Sequence, residues 1–162
     1  MTIDVPKRIS DDEKILEDEK IKIRDYNAQD EQYVTTLMQA LCKTFKVEFD
    51  EERWRKSLEQ KIAKSDFTRM FVADKDGQAM GMLVADIRSA EERTGHITNL
   101  IVAPDYRNIG VGEKLINAAT DFFCDNHVLV VKVNLRAGTD SATKLFAKLG
   151  FVEYAVQFRK DL

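Results

Sequence analysis

The sequence is poor in the residues that mark metal-binding and disulfide-bonded proteins. It has two cysteines and two histidines among 162 residues. Cys42 and Cys124 belong to no CxxC motif and to no Cys/His cluster, so no metal site is expected. Both cysteines lie in apolar patterns of helical spacing, which predicts two buried free thiols.

Long apolar runs and a surplus of positive charge are missing as well. No apolar run approaches the roughly 20 residues that cross a membrane, and the N-terminus lacks the apolar stretch of a signal peptide. The net charge is -3 at pH 7, so no broad basic face is expected. The sequence therefore predicts a cytoplasmic protein with neither a membrane nor a nucleic acid as its partner.

The length and the apolar pattern predict one globular domain. Residues 1–20 are mostly charged and are interpreted as an N-terminal extension, mobile or loosely docked. Residues 21–162 are interpreted as the domain, with elements in the order β-α-α-β-β-β-α-β-α-β and a last strand from Phe151 to Phe158. This order predicts an α/β (α+β) fold with a mixed central sheet flanked by helices.

The segment with the clearest chemistry lies between a predicted strand, His96 to Val102, and a predicted helix that begins at Val111. A helix start presents free N–H groups and a partial positive charge, which bind phosphate readily. Glycines let phosphate oxygens approach the backbone, and an arginine adds a charged donor. The segment that combines these features is Arg107-Asn108-Ile109-Gly110-Val111-Gly112.

The spacing of this segment does not match the two commonest nucleotide motifs. No Lys-Ser/Thr pair follows Gly112, which excludes a Walker A loop, and Leu115 stands where the dinucleotide fingerprint needs its third glycine. On spacing alone, phosphate binding and a plain helix-start turn are equally supported.

Two wider stretches resemble the GNAT (Gcn5-related) N-acetyltransferases. The first, His96–Leu115, contains the strand, the Pro-x-Tyr-Arg turn and the x-x-Gly-x-Gly ending typical of that family. The second, Ala142–Phe151, looks like the closing helix of the family with its Leu-Gly-Phe ending. The resemblance implies the GNAT fold and acetyl-CoA as co-substrate.

The resemblance also implies roles for individual residues. The turn and helix start would hold the pyrophosphate of the coenzyme, and the end of the strand would pair with its pantetheine arm. A backbone N–H of Ile101 or Val102 would stabilise the oxyanion, and the acetyl group would pass directly to an amine. The implied cofactor-binding residues are Leu100, Ile101, Val102, Arg107, Asn108, Ile109, Gly110, Val111, Gly112, Thr139 and Phe146.

Proton transfer is less well defined by the sequence. His96 stands where several protein-acetylating members of the family place their base, and an imidazole titrates near working pH. A main-chain group with an ordered water is the alternative base. The usual tyrosine acid of the family is replaced by Phe146, and its frequent asparagine by Thr139; Tyr154 is a substitute acid.

The expected acceptor is an amine, first a peptide or protein N-terminus or a lysine. The stretch His96–Leu100 is similar to the same strand in N-terminal protein acetyltransferases. The loops Thr44–Glu52 and Arg88–Thr94 are acidic and are predicted to attract a cationic acceptor. A small amine, such as a polyamine, an amino acid or a drug, remains open, as do a non-catalytic CoA-binding module and a homodimer.

Overall fold

The computed structural model describes residues 20–89 and 91–162. The extension predicted for residues 1–20 lies outside the described residues, apart from Lys20. The strands are β1 Ile21–Asp25, β2 Thr68–Lys75, β3 Gln78–Ser89, β4 Thr94–Val102 and β5 Val130–Val133. The helices are α1 Glu31–Thr44, α2 Glu51–Lys56, which continues into the π-helical turn Ser57–Ile62, α3 Val111–Asp125 and α4 Asp140–Lys148.

The strands form one mixed sheet in the order β1-β2-β3-β4-β5. The first four strands are antiparallel neighbours, and β5 runs parallel to β4 because α3 makes the crossover between them. Between β2 and β3 the chain turns through Asp76 and Gly77, at φ 54° and 83°. Two positive φ angles in a two-residue loop match the twist of a hairpin.

Helices cover both faces of the sheet and bury its central strand, β3, on both sides. Val34 of α1 and Trp54 of α2 pack on one face against Met82 and Val84. Leu115 and other apolar residues of α3 pack on the opposite face against Leu83 and Ala85, together with Phe146 of α4. The central residues of β3 are therefore buried on both faces of the sheet.

The predicted final strand is wrong. Residues 151–162 form no strand, and the N–H of Phe151, which donates to the Phe146 carbonyl at 3.0 Å, ends the helix. The side chains of Val152 and Phe158 are 85% and 92% exposed. Residues 152–162 make no backbone hydrogen bond to β5 or to any other strand of the described chain, and without such pairing an alternating segment is not a strand.

One prediction for the cysteines is wrong as well. Cys42 is buried, but Cys124 is exposed, although its neighbours Phe122 and Phe123 are buried on the inner face of α3. Among the described residues, no helix is long and apolar enough to cross a membrane.

Candidate active site

A β-bulge interrupts β4 in its second half. Val84 pairs with Thr98 and Met82 pairs with Ile101. Between these two pairs the chain advances by three residues in β4 but by only two in β3. The extra residue bends the strand. Asn99 lies within this interval at φ 51°, in the left-handed region that asparagine tolerates better than most residues. Asn99 was not among the predicted site residues, and an asparagine inside an apolar strand was the signal available.

At the bulge, β4 and β5 separate. Their parallel pairing ends at Ile97 and Val133, while β4 continues to Val102. The edge of β4 that faces β5 is therefore left without a neighbouring strand from Thr98 onward, among the described strands. Such an edge offers backbone donors and acceptors to an extended ligand.

A cavity of about 380 Å³ lies at this opening. Residues of five segments line it: the end of α1 with the loop that follows, the end of β3, strand β4, the end of β5 with the residues after it, and α4 with its N-cap. Of the predicted site residues, four line the cavity, namely His96, Leu100, Thr139 and Phe146. Ile101 and Val102 do not, because their side chains are directed into the two cores on opposite faces of the sheet.

The segment after β4 forms an uncapped helix start. A 3-10 turn, Pro104–Tyr106, leads to Asn108 at φ 62° and Gly110 at φ 90°. Gly110 is the N-cap of α3, and no side chain caps this helix. The first N–H donors of α3 are thus available to an anion, and the helix dipole adds positive potential there.

Gly110 and Gly112 are each required for a different structural reason. Gly110 is needed for its positive φ, since a side chain there would meet no atom within 4 Å. A Cβ on Gly112 would lie 2.9 Å from Cδ2 of Leu145, on α4. Gly112 therefore allows α3 and α4 to pack closely, which is a different reason from the phosphate approach expected from the sequence.

Side-chain contacts of Arg107 and Glu113 fix the turn between β4 and α3 to the rest of the domain. The Nε of Arg107 donates to the Val102 carbonyl at 3.0 Å, which fixes the turn to the end of β4. Nζ of Lys148 lies 2.7 Å from Oε2 of Glu113, linking the end of α4 to the first turn of α3. Arg107 thus has a structural contact that its sequence motif does not predict, and its remaining guanidinium donors have no partner among the described residues.

His96 lies in the middle strand of a three-strand arrangement, opposite Asp86 of β3 and Lys132 of β5. Burial and the positive charge of Arg88 lower its pKa below the ordinary value of 6.5, and Lys132 acts in the same direction; Asp86 opposes them. The imidazole is therefore mainly neutral near pH 7, which is the form that accepts a proton.

Asp86 is buried beside His96, and its carboxylate accepts hydrogen bonds from three side chains. Thr68 Oγ1 lies 2.7 Å from Oδ1, and Lys61 Nζ and Arg88 Nε lie 3.2 and 3.3 Å from Oδ2. Burial alone would raise the pKa of Asp86, but these hydrogen bonds outweigh it and hold the pKa below 3.8. Asp86 is therefore a fixed negative charge beneath the site.

Phe146 and Tyr154 occupy the two positions considered for the residue that donates a proton to the leaving thiolate. Phe146 is buried and makes an edge-to-face contact with Phe151, at 5.1 Å between ring centroids. Tyr154 is 84% exposed and does not line the cavity. No tyrosine lines the cavity among the described residues, so neither position supplies a phenolic acid there.

The charges that line the cavity are basic. Arg88 and Arg136 contribute positive charges to its wall beside the mainly neutral His96, and no aspartate or glutamate of the described residues lines it. Arg136 closes one side, with its guanidinium carbon 4.9 Å from the ring centroid of Phe45. The acidic side chains expected at the rim lie outside the wall; they are Glu48, Asp50, Glu51, Glu52, Glu91 and Glu92.

The structure offers no grouping of metal ligands in the regions it describes. No cluster of three or more His, Cys, Asp or Glu side chains that could hold a metal ion occurs in residues 20–89 and 91–162.

Fold and site together define the class of this protein: a single α/β domain whose parallel strands open beside an uncapped helix start. A model of the GNAT acetyltransferase domain matches residues 23–161. The chain belongs to the GNAT acetyltransferase family, as the resemblance of its two motifs implied.

The chain is also similar to individual proteins. An uncharacterised N-acetyltransferase of Methanocaldococcus jannaschii is 26% identical over 112 residues, which cover 67% of this chain and 50% of that protein. The chain thus spans about half the length of this curated relative.

Solved structures share the fold at low sequence identity. The aminoglycoside N-acetyltransferase AAC(6')-Iy in complex with CoA is 21% identical, with a TM-score of 0.70 and coverage of 88% of this chain and 95% of that chain. Glucosamine-6-phosphate N-acetyltransferase from Arabidopsis thaliana is 17% identical, with a TM-score of 0.70 and coverage of 87% and 97%. At this identity the likeness establishes the fold.

Proposed function

We propose that this protein is an N-acetyltransferase that moves an acetyl group from acetyl-CoA directly to an amine. The observation that carries the proposal is the separation of β4 from β5 after the Ile97–Val133 pair. It leaves a backbone edge beside a cavity and directly before an uncapped helix start. Membership of the GNAT family supports the same activity.

The coenzyme would bind along this path in two parts. The pyrophosphate would lie at Asn108–Gly112, where free N–H groups and the positive end of the helix dipole meet. The pantetheine arm would follow the open edge of β4 at Leu100–Val102, as an added strand does. Thr139 and Phe146, at the start and the middle of α4, would close the cavity beside it.

The transfer needs one base and one oxyanion donor. His96 would accept the proton of the ammonium group, and the neutral amine would then attack the thioester carbonyl. The C–N bond would form first and give a tetrahedral intermediate, whose oxyanion a backbone N–H of Ile101 or Val102 would stabilise. The nitrogen would then give its second proton to water as the C–S bond breaks. The departing thiolate would take its proton from water, since Phe146 has none to donate.

The lining of the cavity narrows the class of acceptor. Arg88 and Arg136 repel a polyamine, which carries several positive charges. A peptide α-amine carries a single charge that is lost before attack, and the apolar end of α1 with Met38 and Leu41 suits an apolar first side chain. A peptide or protein N-terminus is therefore the acceptor we propose, ahead of a lysine or a free amino acid.

The release of CoA thiol from acetyl-CoA tests both the activity and the acceptor. The panel is short peptides with free N-termini, the same peptides with blocked N-termini and one lysine, free amino acids, and spermidine. We expect turnover with free N-termini, and mass spectrometry should find one acetyl group on the α-amine. Preferred acetylation of spermidine would overturn the proposed acceptor, and coenzyme binding without any turnover would indicate a non-catalytic module.

A further inference from the structure

Glu113 brings a negative charge to the helix start where the pyrophosphate is proposed to bind. It is the acidic residue in the first turn of α3, and its side chain is 34% exposed. A carboxylate in the first turn offsets the positive potential of the helix dipole and repels a diphosphate. Glu113 therefore places the wrong charge at a site for the coenzyme.

The position of Glu113 is also one from which a glutamate caps its own helix. Gly110 is the N-cap of α3, so Glu113 is the third residue of the helix. A glutamate there can fold back and accept a hydrogen bond from the N–H of the N-cap residue. Such a cap would occupy a donor that the pyrophosphate needs. Glu113 thus competes with the coenzyme unless its carboxylate is held elsewhere.

In the structure the carboxylate of Glu113 is held by Lys148, the last residue of α4. Nζ of Lys148 donates a hydrogen bond to Oε2 of Glu113 at 2.7 Å. Within the described chain the Glu113 carboxylate accepts no other hydrogen bond, and none from the N–H of Gly110. The lysine therefore neutralises the charge of the glutamate and leaves the donor at Gly110 open.

The close packing of α3 and α4 brings Lys148 within reach of Glu113. A Cβ on Gly112 would lie 2.9 Å from Cδ2 of Leu145, so the absence of a side chain at Gly112 lets α4 approach the start of α3. Lys148 follows Leu145 by three residues and lies on the same side of α4, since such residues are neighbours on a helix surface. The contact that sets the spacing of the helices therefore also sets the position of the ammonium group.

We infer that Lys148 is a positioning residue for coenzyme binding, which acts through Glu113. It holds the carboxylate away from the N–H donors at the start of α3 and cancels its charge. This role rests on the pyrophosphate site proposed above. Without the lysine, the charge of Glu113 would be uncompensated in the first turn, and CoA would bind more weakly.

Two lysines of α4 give a matched pair of substitutions. Lys148→Gln releases Glu113, whereas Lys144→Gln removes the same charge one turn earlier, from an exposed side chain without a partner among the described residues. In isothermal titration calorimetry, the dissociation constant for CoA should rise by about fivefold or more in Lys148→Gln and by about twofold at most in Lys144→Gln. Lys148→Arg keeps the ion pair and should bind CoA as the wild type does. Equal affinities of Lys148→Gln and Lys144→Gln would overturn the role of Lys148.

A double-mutant cycle shows whether Lys148 acts through Glu113 or binds a phosphate itself. Glu113→Gln should bind CoA at least as tightly as the wild type, because the competing charge is gone. In the Glu113→Gln background, Lys148→Gln should weaken binding no more than Lys144→Gln does. The same loss with and without Glu113 would mean that the lysine contacts the coenzyme directly, and this result would overturn the inference.

Pantetheine, which lacks the pyrophosphate, separates the role of Lys148 from general damage to the site. In an NMR titration it should bind equally to the wild type and to Lys148→Gln, and a loss as large as that for CoA would overturn the role of Lys148. A wild-type chain that binds no CoA would overturn the proposed coenzyme site together with this role. A wild type that binds CoA, with Lys148→Gln and Lys144→Gln alike, would overturn the role of Lys148 alone.

Discussion

A Cβ atom added to Gly112 would lie 2.9 Å from Cδ2 of Leu145, so the start of α3 packs against α4 at the one position where the helix has no side chain. This contact lies at the helix start that we propose for the pyrophosphate. It joins the predicted coenzyme turn to the helix that lines the cavity, and it separates the role of Gly112 from that of Gly110.

A double-mutant cycle tests the packing role of Gly112. Gly112→Ala forces the Leu145 side chain to move, whereas in a Leu145→Ala background the space is already free. We expect the alanine at position 112 to be more favourable in that background by about 0.5–1 kcal/mol of unfolding free energy, measured in urea. Equal effects in the two backgrounds would show that the two residues do not interact.

Substitutions at Gly110 test the phosphate site. Gly110→Glu and Gly110→Gln carry the same cost of a side chain at positive φ, but only the glutamate adds a negative charge at the helix start. The dissociation constant for CoA should rise by about tenfold or more in Gly110→Glu relative to Gly110→Gln. Raising the salt concentration should reduce this difference, and a difference that is absent at low salt would argue against an anion at this turn.

The pH dependence of turnover tests His96 as the base. Because burial and Arg88 lower its pKa below 6.5, kcat/KM should rise with pH through a value below 6.5 and be level above it. His96→Gln should remove this acid limb and lower turnover by about a hundredfold, with little change in CoA affinity. An acid limb that persists in His96→Gln would assign the base to another group.

Arg88→Gln provides a second measurement on the same imidazole. It removes a positive charge that lowers the pKa of His96 and leaves the charge of Asp86 less neutralised, so both effects raise that pKa. In an NMR titration the His96 ring signals should move to a higher midpoint. His127 is the only other histidine and serves as an internal reference.

The buried carboxylate of Asp86 should make stability depend on acid pH. Its folded pKa is below 3.8, so the stability that it contributes is present above its unfolded pKa and is lost as pH falls through the folded value. At pH 7, Asp86→Asn should cost about 1–3 kcal/mol of unfolding free energy. The difference between the wild type and Asp86→Asn should shrink in acid, and a constant difference from pH 7 to pH 2 would contradict this role.

The parts of the fold that the sequence predicts well are those that local chemistry determines. Asp76-Gly77 forms a hairpin because both residues accept positive φ, and the helical spacing of Leu115, Ile116 and Ala119 is the buried face of α3. The crossover from β4 to β5 follows from the order of elements.

Other features depend on contacts that are distant in sequence. The bulge near Asn99 and the separation after Ile97 and Val133 appear only in the pairing of strands. The segment after Gly150 has the alternation of a strand, but alternation cannot show whether a neighbouring strand exists in the same chain. The basic wall with Arg136 was not predicted either, because the acidic loops are prominent in the sequence and lie outside the cavity.

We propose that acetyl-CoA binds where β4 separates from β5 and at the start of α3. Isothermal titration calorimetry of the wild-type chain with acetyl-CoA tests it most directly. We expect saturable binding with one coenzyme per chain, and weaker binding in Gly110→Glu than in Gly110→Gln. A wild-type chain that binds no acetyl-CoA would contradict it.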